Sequence, residues 1–256
     1  MKPESLSEFL AWKPPVIRYY VGKGLLVQEG KMILFGAYKS WKSMTAIDLA
    51  FRLATGTPWL GFQTSKATVL TIQMEIPKFE YQKRVNKYAF GNQLAPMDNL
   101  YLVTAPALKL DKGWGVALLD QWICDCRPQV VIIDPVYRVV SGRLTDEYDV
   151  RQFTDRIDEL INKHHISVVL VHHEGKELIV EGERYDRGAD ASFGSAVFGW
   201  WAQTSVEVRK VGGENSSTIN VRFPLTSLAD EEVKPITVDI NRNNLRFTIK
   251  EDGNGT

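Results

Sequence analysis

Apolar runs alternate with helical periodicities along most of the chain. Met32-Ile33-Leu34-Phe35 is a short apolar run, and Met44, Ile47, Leu49, Ala50, Phe51 and Leu53 then recur with the spacing of one helix face. Ala67–Ile72 reads as a second buried strand, followed by Glu75, Pro77 and a helical stretch over Lys78–Tyr88. Leu100–Val103 is a third strand, and Val116, Leu118, Leu119, Trp122 and Ile123 mark a helix. Val130–Ile133 is an apolar run closed by Asp134, and Val150, Phe153, Ile157, Leu160 and Ile161 mark another amphipathic helix. Ser167–His173 is the next strand. Such alternation predicts an α/β fold, a mainly parallel sheet with helices on both faces.

The pattern changes at both ends. Residues 1–28 are polar, with Trp12, Pro14, Pro15, Tyr19 and Tyr20 interspersed, and read as an extended arm without a helix. Residues 174–194 are charged and glycine-containing, with no helical period, and a loop of that length belongs to a function or to disorder. After a short helix around Trp200 and Trp201, strand-like runs at 206–208, 219–223, 236–238 and 245–249 follow, with a hairpin turn at Gly212-Gly213-Glu214-Asn215. The expected organisation is an arm over 1–28 and one domain over 29–256. That domain carries an antiparallel C-terminal extension from about residue 205.

Between the first strand and the first core helix stands Gly36-Ala37-Tyr38-Lys39-Ser40-Trp41-Lys42-Ser43. It meets the phosphate-binding pattern G-x-x-x-x-G-K-[ST] except at Trp41, which replaces the second glycine, and its strand–loop–helix setting is the one the motif requires. Backbone N–H groups and the helix N-terminus there bind phosphate oxygens. The expected ATP contacts run from Gly36 through Ala37, Tyr38, Lys39, Ser40, Trp41, Lys42 and Ser43 to Met44. Lys42 is expected to neutralise the β- and γ-phosphates, and the Ser43 hydroxyl to ligate Mg²⁺. Trp41 is tolerable there if its φ is negative and its ring points away from the phosphates.

Composition narrows the partners. Lys+Arg and Asp+Glu balance at 31 each in 256 residues, so bulk charge makes no case for nucleic-acid binding and any such site is a local patch. Cys124 and Cys126, two apart on a helix, read as buried thiols in a reducing compartment. With neither a signal pattern nor a membrane-length apolar run, the expected location is cytoplasmic.

Three features fall where a triphosphate site needs them. Asp134, closing its strand, suits a Mg²⁺ carboxylate. Glu75, after the second strand, suits the base that orients an attacking water. His172 and His173 end the last core strand; adjacent strand residues face opposite ways, so a γ-phosphate sensor suits them better than a shared ion. His164 and His165 lie at a helix end, where the dipole accounts for them.

These residues carry a resemblance. From Gln28 to about Val208 the chain resembles the RecA-like P-loop ATPase family, AAA family ATPases that include the RepA-type hexameric replicative helicases of plasmids and phages. GAYKSWKS, ATGTPWLGF, TIQMEIP, VVIIDPVYRVV, VVLVHH and ASFGSAVFGWWAQT stand in the family's order and spacing, over about seven-tenths of the chain. The resemblance implies a RecA fold, ATP hydrolysis with Mg²⁺ and a homo-oligomeric ring. It gives Lys42 and Ser43 the phosphate and metal roles, Glu75 the general base, Asp134 the metal carboxylate and His172–His173 the sensor. Arg138 matches a basic residue just after the metal strand. The chain departs from the family at Trp41 and at Ser192-Phe193-Gly194-Ser195, where Phe193 takes the place of an arginine finger. Arg184, Arg187 and Arg222 are the candidate replacements.

Three functions compete. One is an ATP-driven DNA motor in replication or recombination, with single-stranded DNA as its polymer. Its channel loops would be about 141–149 and 174–194, which mix basic with acidic residues and lack the basic-aromatic character of single-strand grooves. The alternative is a regulatory or loader ATPase with slow turnover and nucleotide-dependent oligomerisation. A small-molecule kinase fits less well, because no arginine-rich lid segment is visible.

Overall fold

The computed structural model describes residues 2–173, 179–180, 183–184, 195–213 and 215–250. Its centre is a nine-stranded sheet. The early strands are β1 (Tyr19–Val21), β2 (Leu26–Val27), β3 (Lys31–Gly36), β4 (Val69–Gln73) and β5 (Leu100–Thr104). They are followed by β6 (Val130–Asp134), β7 (Ser167–His173), β8 (Ile179–Val180) and β9 (Glu183–Arg184). The chain ends in β10 (Thr204–Val211), β11 (Thr218–Thr226), β12 (Ile236–Ile240) and β13 (Phe247–Ile249). The sheet runs in the order β13-β12-β11-β10-β3-β7-β6-β4-β5. From β10 to β5 neighbouring strands are parallel, and from β10 outward to β13 they are antiparallel. The α/β class and the C-terminal antiparallel extension are therefore as expected, with β10 as the hinge strand, parallel to β3 on one side and antiparallel to β11 on the other.

The helices are α1 (Leu6–Ala11), α2 (Lys42–Thr55), α3 (Lys78–Gly91), α4 (Gly113–Cys126), α5 (Val136–Val139), α6 (Glu147–His164) and α7 (Ala196–Trp201). Helix α6 shows how local sequence sets its limits. The Asp146 carboxylate accepts from the backbone N–H of Tyr148 and Asp149 at its start, and Lys163 and His164 complement the dipole at its end. Its apolar face, Val150, Phe153, Ile157 and Leu160, is buried against one face of the sheet together with Ile33, Ile133 and Leu170. Helix α2 covers the opposite face, where Leu49 and Leu53 meet Leu34, Ile132 and Val171. The strands are apolar on both faces because both are covered.

Two expectations about the chain's beginning are corrected. The arm is not free of helix: Ser5 caps α1 in a capping box with Glu8, so local side-chain hydrogen bonding outweighs the Pro14–Pro15 signal that follows. Nor does packing begin at residue 29. β1 and β2 pair antiparallel, and Tyr20, Val21, Leu25 and Leu26 are buried with Met32 and Leu34. The thiols are also not buried as expected: Cys124 is exposed and Cys126 half-buried. Among the described residues no helix is long and apolar enough to cross a membrane.

Candidate active site

The carboxyl ends of the central parallel strands meet along one edge. Gly36 at the end of β3 lies opposite His173 at the end of β7, and Gln73 of β4 lies opposite Asp134 of β6. Loops leaving such an edge are where open α/β sheets bind ligands. The loop after β3 leaves at Gly36, whose φ is +151° and where a Cβ would stand 2.3 Å from the Val208 carbonyl oxygen. Only glycine fits. Ala37, Tyr38 and Lys39 are exposed, Ser40 is buried, and Lys39 and Trp41 both have positive φ, 59° and 73°.

The negative φ expected for Trp41 is thus corrected. The tryptophan keeps the left-handed conformation that the replaced glycine would adopt, at a cost of about 1–2 kcal/mol for an L-residue. Its ring does turn into the protein, packing between the sheet-side cluster around α2 and a second cluster of Met44, Ile47, Tyr81, Tyr88 and Leu245. The indole N–H points at the Ser216 carbonyl at 3.5 Å.

The Lys42 ammonium is buried and donates to the Ala37 carbonyl at 2.5 Å and to Ser40 Oγ at 3.3 Å, within the loop's own concavity. Met44 points its side chain into the cluster with Tyr81 and Tyr88, so any contact it makes with nucleotide is through its backbone N–H. The Ser43 side chain lies near enough to the Asp134 carboxylate to favour its ionised form. Burial pushes the Asp134 carboxyl up to about 6; Glu75 adds to the rise, while Ser43, Lys42 and Arg84 oppose it. Asp134 Oδ1 is buried with no hydrogen-bond partner among the described residues. A buried carboxylate oxygen without a partner, beside a serine hydroxyl and next to the loop, is a hard oxygen donor set that fits Mg²⁺.

Glu75 is held from several sides. The Gln73 side chain accepts from the backbone N–H of Glu75 at 2.6 Å and of Ile76 at 2.7 Å, and donates to the Ile76 carbonyl at 2.8 Å. That fixes the turn after β4. The Tyr137 hydroxyl donates to Glu75 Oε1 at 2.5 Å, and His173 Nε2 lies 3.5 Å from the same oxygen. Desolvation and the nearby Lys42 lower the His173 pKa against the opposing pull of Glu75, which favours the neutral imidazole. The Tyr137 and His173 rings meet edge to face at 5.4 Å.

The paired histidines part company. His173 joins Glu75, whereas His172 is buried on the other face of the sheet with its ring 5.2 Å from that of Phe198. Arg138 is exposed in α5, its guanidinium 5.5 Å from the Tyr137 ring centroid. Sequence reasoning missed Gln73, Tyr137 and Arg84. A glutamine closing an apolar strand and a tyrosine three residues after Asp134 were the available signals; Arg84 gave none. Phe193 and Arg187 lie outside the described residues, and Arg222 is exposed on β11 with Nε 3.1 Å from Asn220 Oδ1. Away from this edge, donor atoms of Asp120, Cys124 and His164 lie within 4.8 Å of one another. Lys163 holds the Asp120 carboxylate at 2.8 and 2.9 Å and His164 approaches it at 2.6 Å, so the cluster is an ion pair at the end of α6.

With this geometry in hand, comparison with known proteins decides the family. A family model described as an AAA domain (AAA_25) matches residues 2–178. The chain belongs to the AAA domain family. Among solved structures it is similar to one described as an ATPase domain, with a TM-score of 0.65 at 12% identity over 88% of this chain and 86% of that one. It is also similar to a KaiC-like protein, PH0186, from the hyperthermophilic archaeon Pyrococcus horikoshii OT3. There the TM-score is 0.63 at 11% identity, over 93% of this chain and 100% of that one. No curated protein sequence matches the chain. At these identities the structures speak for the fold alone, and that fold is RecA-like.

Proposed function

We propose that this AAA domain binds ATP with Mg²⁺ and hydrolyses it, as a homo-oligomeric ring acting in DNA replication or recombination. The observation that carries the reading is the convergence of Lys42, Ser43, Glu75, Asp134 and His173 on one sheet edge, with Asp134 Oδ1 buried and unsatisfied. Backbone N–H groups of the loop and the Lys42 ammonium would hold the phosphates, and Ser43 with Asp134 would hold the metal. An ion held there would supply Lewis-acid charge against the negative charge that develops on the transferring phosphate. Glu75 takes the proton of the water whose oxygen attacks the γ-phosphorus as the bond to the ADP oxygen breaks. Tyr137 and His173, both beside Glu75 Oε1, aim its carboxylate. His172 is turned to Phe198, so the sensor role falls to His173.

Two variants test the reading. Lys42→Ala is expected to abolish measurable ATP binding. Glu75→Gln is expected to keep binding while lowering kcat about 10²–10⁴-fold. Equal turnover in all three proteins would overturn it.

A slow, non-motor ATPase is the second reading, and the segment after α5 favours it. There the Asp146 carboxylate is spent on capping α6 and Asp149 accepts from the Arg143 N–H at 2.9 Å, leaving an acidic segment where a motor would grip DNA. Single-stranded DNA that stimulates turnover in a salt-sensitive way supports the motor; turnover indifferent to DNA supports the second reading.

A further inference from the structure

The phosphate-binding loop is tied to the far C-terminal strands through Trp41. Its backbone sits at φ 73°, ψ 11° as the residue before α2, with no side-chain cap, and its carbonyl accepts from both the N–H and the hydroxyl of Thr45 at 2.9 and 3.1 Å. The dihedral at Trp41 therefore sets the direction of the first N–H groups of α2, the donors that face phosphate. Glycine reaches this conformation freely, whereas a tryptophan must be held in it.

What holds it comes from two turns more than 170 residues downstream. Arg242, in the turn after β12, places its guanidinium 5.7 Å from the Trp41 ring centroid. Its Nη2 donates to the Asn215 carbonyl at 2.7 Å and to the Ser216 carbonyl at 3.4 Å, and its Nε donates to Ser217 Oγ at 3.4 Å. The Trp41 indole N–H approaches that same Ser216 carbonyl. Arginine, turn and indole make one unit that meets the phosphate-binding loop at Trp41.

We propose that Arg242 is a positioning residue for nucleotide binding, holding Trp41 in the left-handed conformation and so standing in for the missing glycine. The inference rests on the ATP-binding reading above. It predicts an interaction between two substitutions: with tryptophan present the clamp is needed, and with glycine it is not. ATP affinity with Mg²⁺ is measured by calorimetric titration, with turnover at saturating ATP, for wild type, Arg242→Ala, Arg242→Lys, Trp41→Gly, the Trp41→Gly/Arg242→Ala double variant and Lys42→Ala. Arg242→Ala is expected to raise Kd about five- to tenfold and KM with it, leaving kcat within about twofold. Arg242→Lys, which keeps the charge over the ring but loses the fork to the turn, falls between. In the Trp41→Gly background, Arg242→Ala is expected to change Kd by less than about twofold.

Equal Kd changes in the two backgrounds, or none in wild type, overturn the inference while leaving the ATP reading intact. A merely structural loss would instead lower kcat through a smaller active fraction in both backgrounds, and that too overturns it. Wild type and Lys42→Ala binding ATP alike, or neither binding it, would sink the ATP reading itself and this inference with it.

Discussion

Asp134 and Tyr137 show how much of the site is set by single side chains. Burial raises the Asp134 carboxyl to about 6 from an ordinary 3.8, so the folded chain binds that proton more tightly than the unfolded chain. The associated stability is fully present below the ordinary value and is lost as pH rises through about 6. Asp134→Asn is therefore expected to stabilise the nucleotide-free protein at pH 8 by on the order of 1–3 kcal/mol, with the gain roughly halved at pH 5. Thermal melts at the two pH values check this, and a pH-independent gain would contradict it. The same substitution removes the proposed Mg²⁺ ligand, so greater stability should come with lost turnover. The Tyr137 hydroxyl donates to the proposed base, Glu75: Tyr137→Phe is expected to lower kcat about three- to tenfold with KM little changed. These residues differ in how legible they were. Lys42, Glu75, Asp134 and His173 could be read because motif spacing and strand ends place them. Tyr137 and Gln73 act through partners brought close only by folding, and nothing in their own surroundings in the sequence names those partners.

At the scale of elements, the core strands were legible for a physical reason: a strand covered on both faces is an unbroken apolar run. Helices α2 and α6 were legible from their one-sided periodicity. Helix α1 was not, because none of its residues is buried and its only signal is the Ser5–Glu8 cap. The joint between α2 and α3 was also invisible. It rests on a polar contact inside an apolar cluster: the Tyr88 hydroxyl donates to the buried Asp48 carboxylate, whose other partner is Arg52 Nε at 3.3 Å in the same helix. Burial raises the Asp48 pKa, and Tyr88 and Arg52 restrain the rise. Tyr88→Phe keeps the ring stacked on Phe51 at 4.8 Å but takes the donor away from Asp48. It is expected to cost about 1–3 kcal/mol, since a buried acceptor loses a partner it cannot replace from solvent. The melting temperature should fall by several degrees. Replacing Asp48 by Asn in the Tyr88→Phe background should return part of the loss, because the group left behind is then uncharged. Without that recovery the network would not be what joins the helices.

At the scale of the molecule, the sheet order was what sequence could not provide. Alternation announces parallel strands but not that β7 lies between β3 and β6, the placement that brings His173 beside Gly36 and Glu75. Neither does it show where the folded unit begins. Composition puts the boundary near residue 28, whereas burial puts it at Tyr20. Residues 2–19 are all exposed, including the apolar side chains Leu6, Phe9 and Leu10 of α1. Tyr20, Val21, Leu25 and Leu26 are instead enclosed with Met32, Leu34 and Trp59. Burying each such side chain contributes roughly 1.5–3 kcal/mol, so together they account for as much as the whole net stability of an ordinary domain, about 5–15 kcal/mol. Two truncations should therefore behave very differently. A chain starting at Arg18 is expected to melt within about 2 °C of the full chain, since it gives up no buried contact. A chain starting at Gly30 strips the β1–β2 pair from the face covering α2 and is expected not to fold as a soluble protein. Cooperative thermal unfolding followed by circular dichroism distinguishes them. If the shorter deletion alone collapsed the melting transition, the arm would be part of the core in solution. If the longer one left the transition untouched, β1 and β2 would be an appendage, and the composition-based boundary would be the true one.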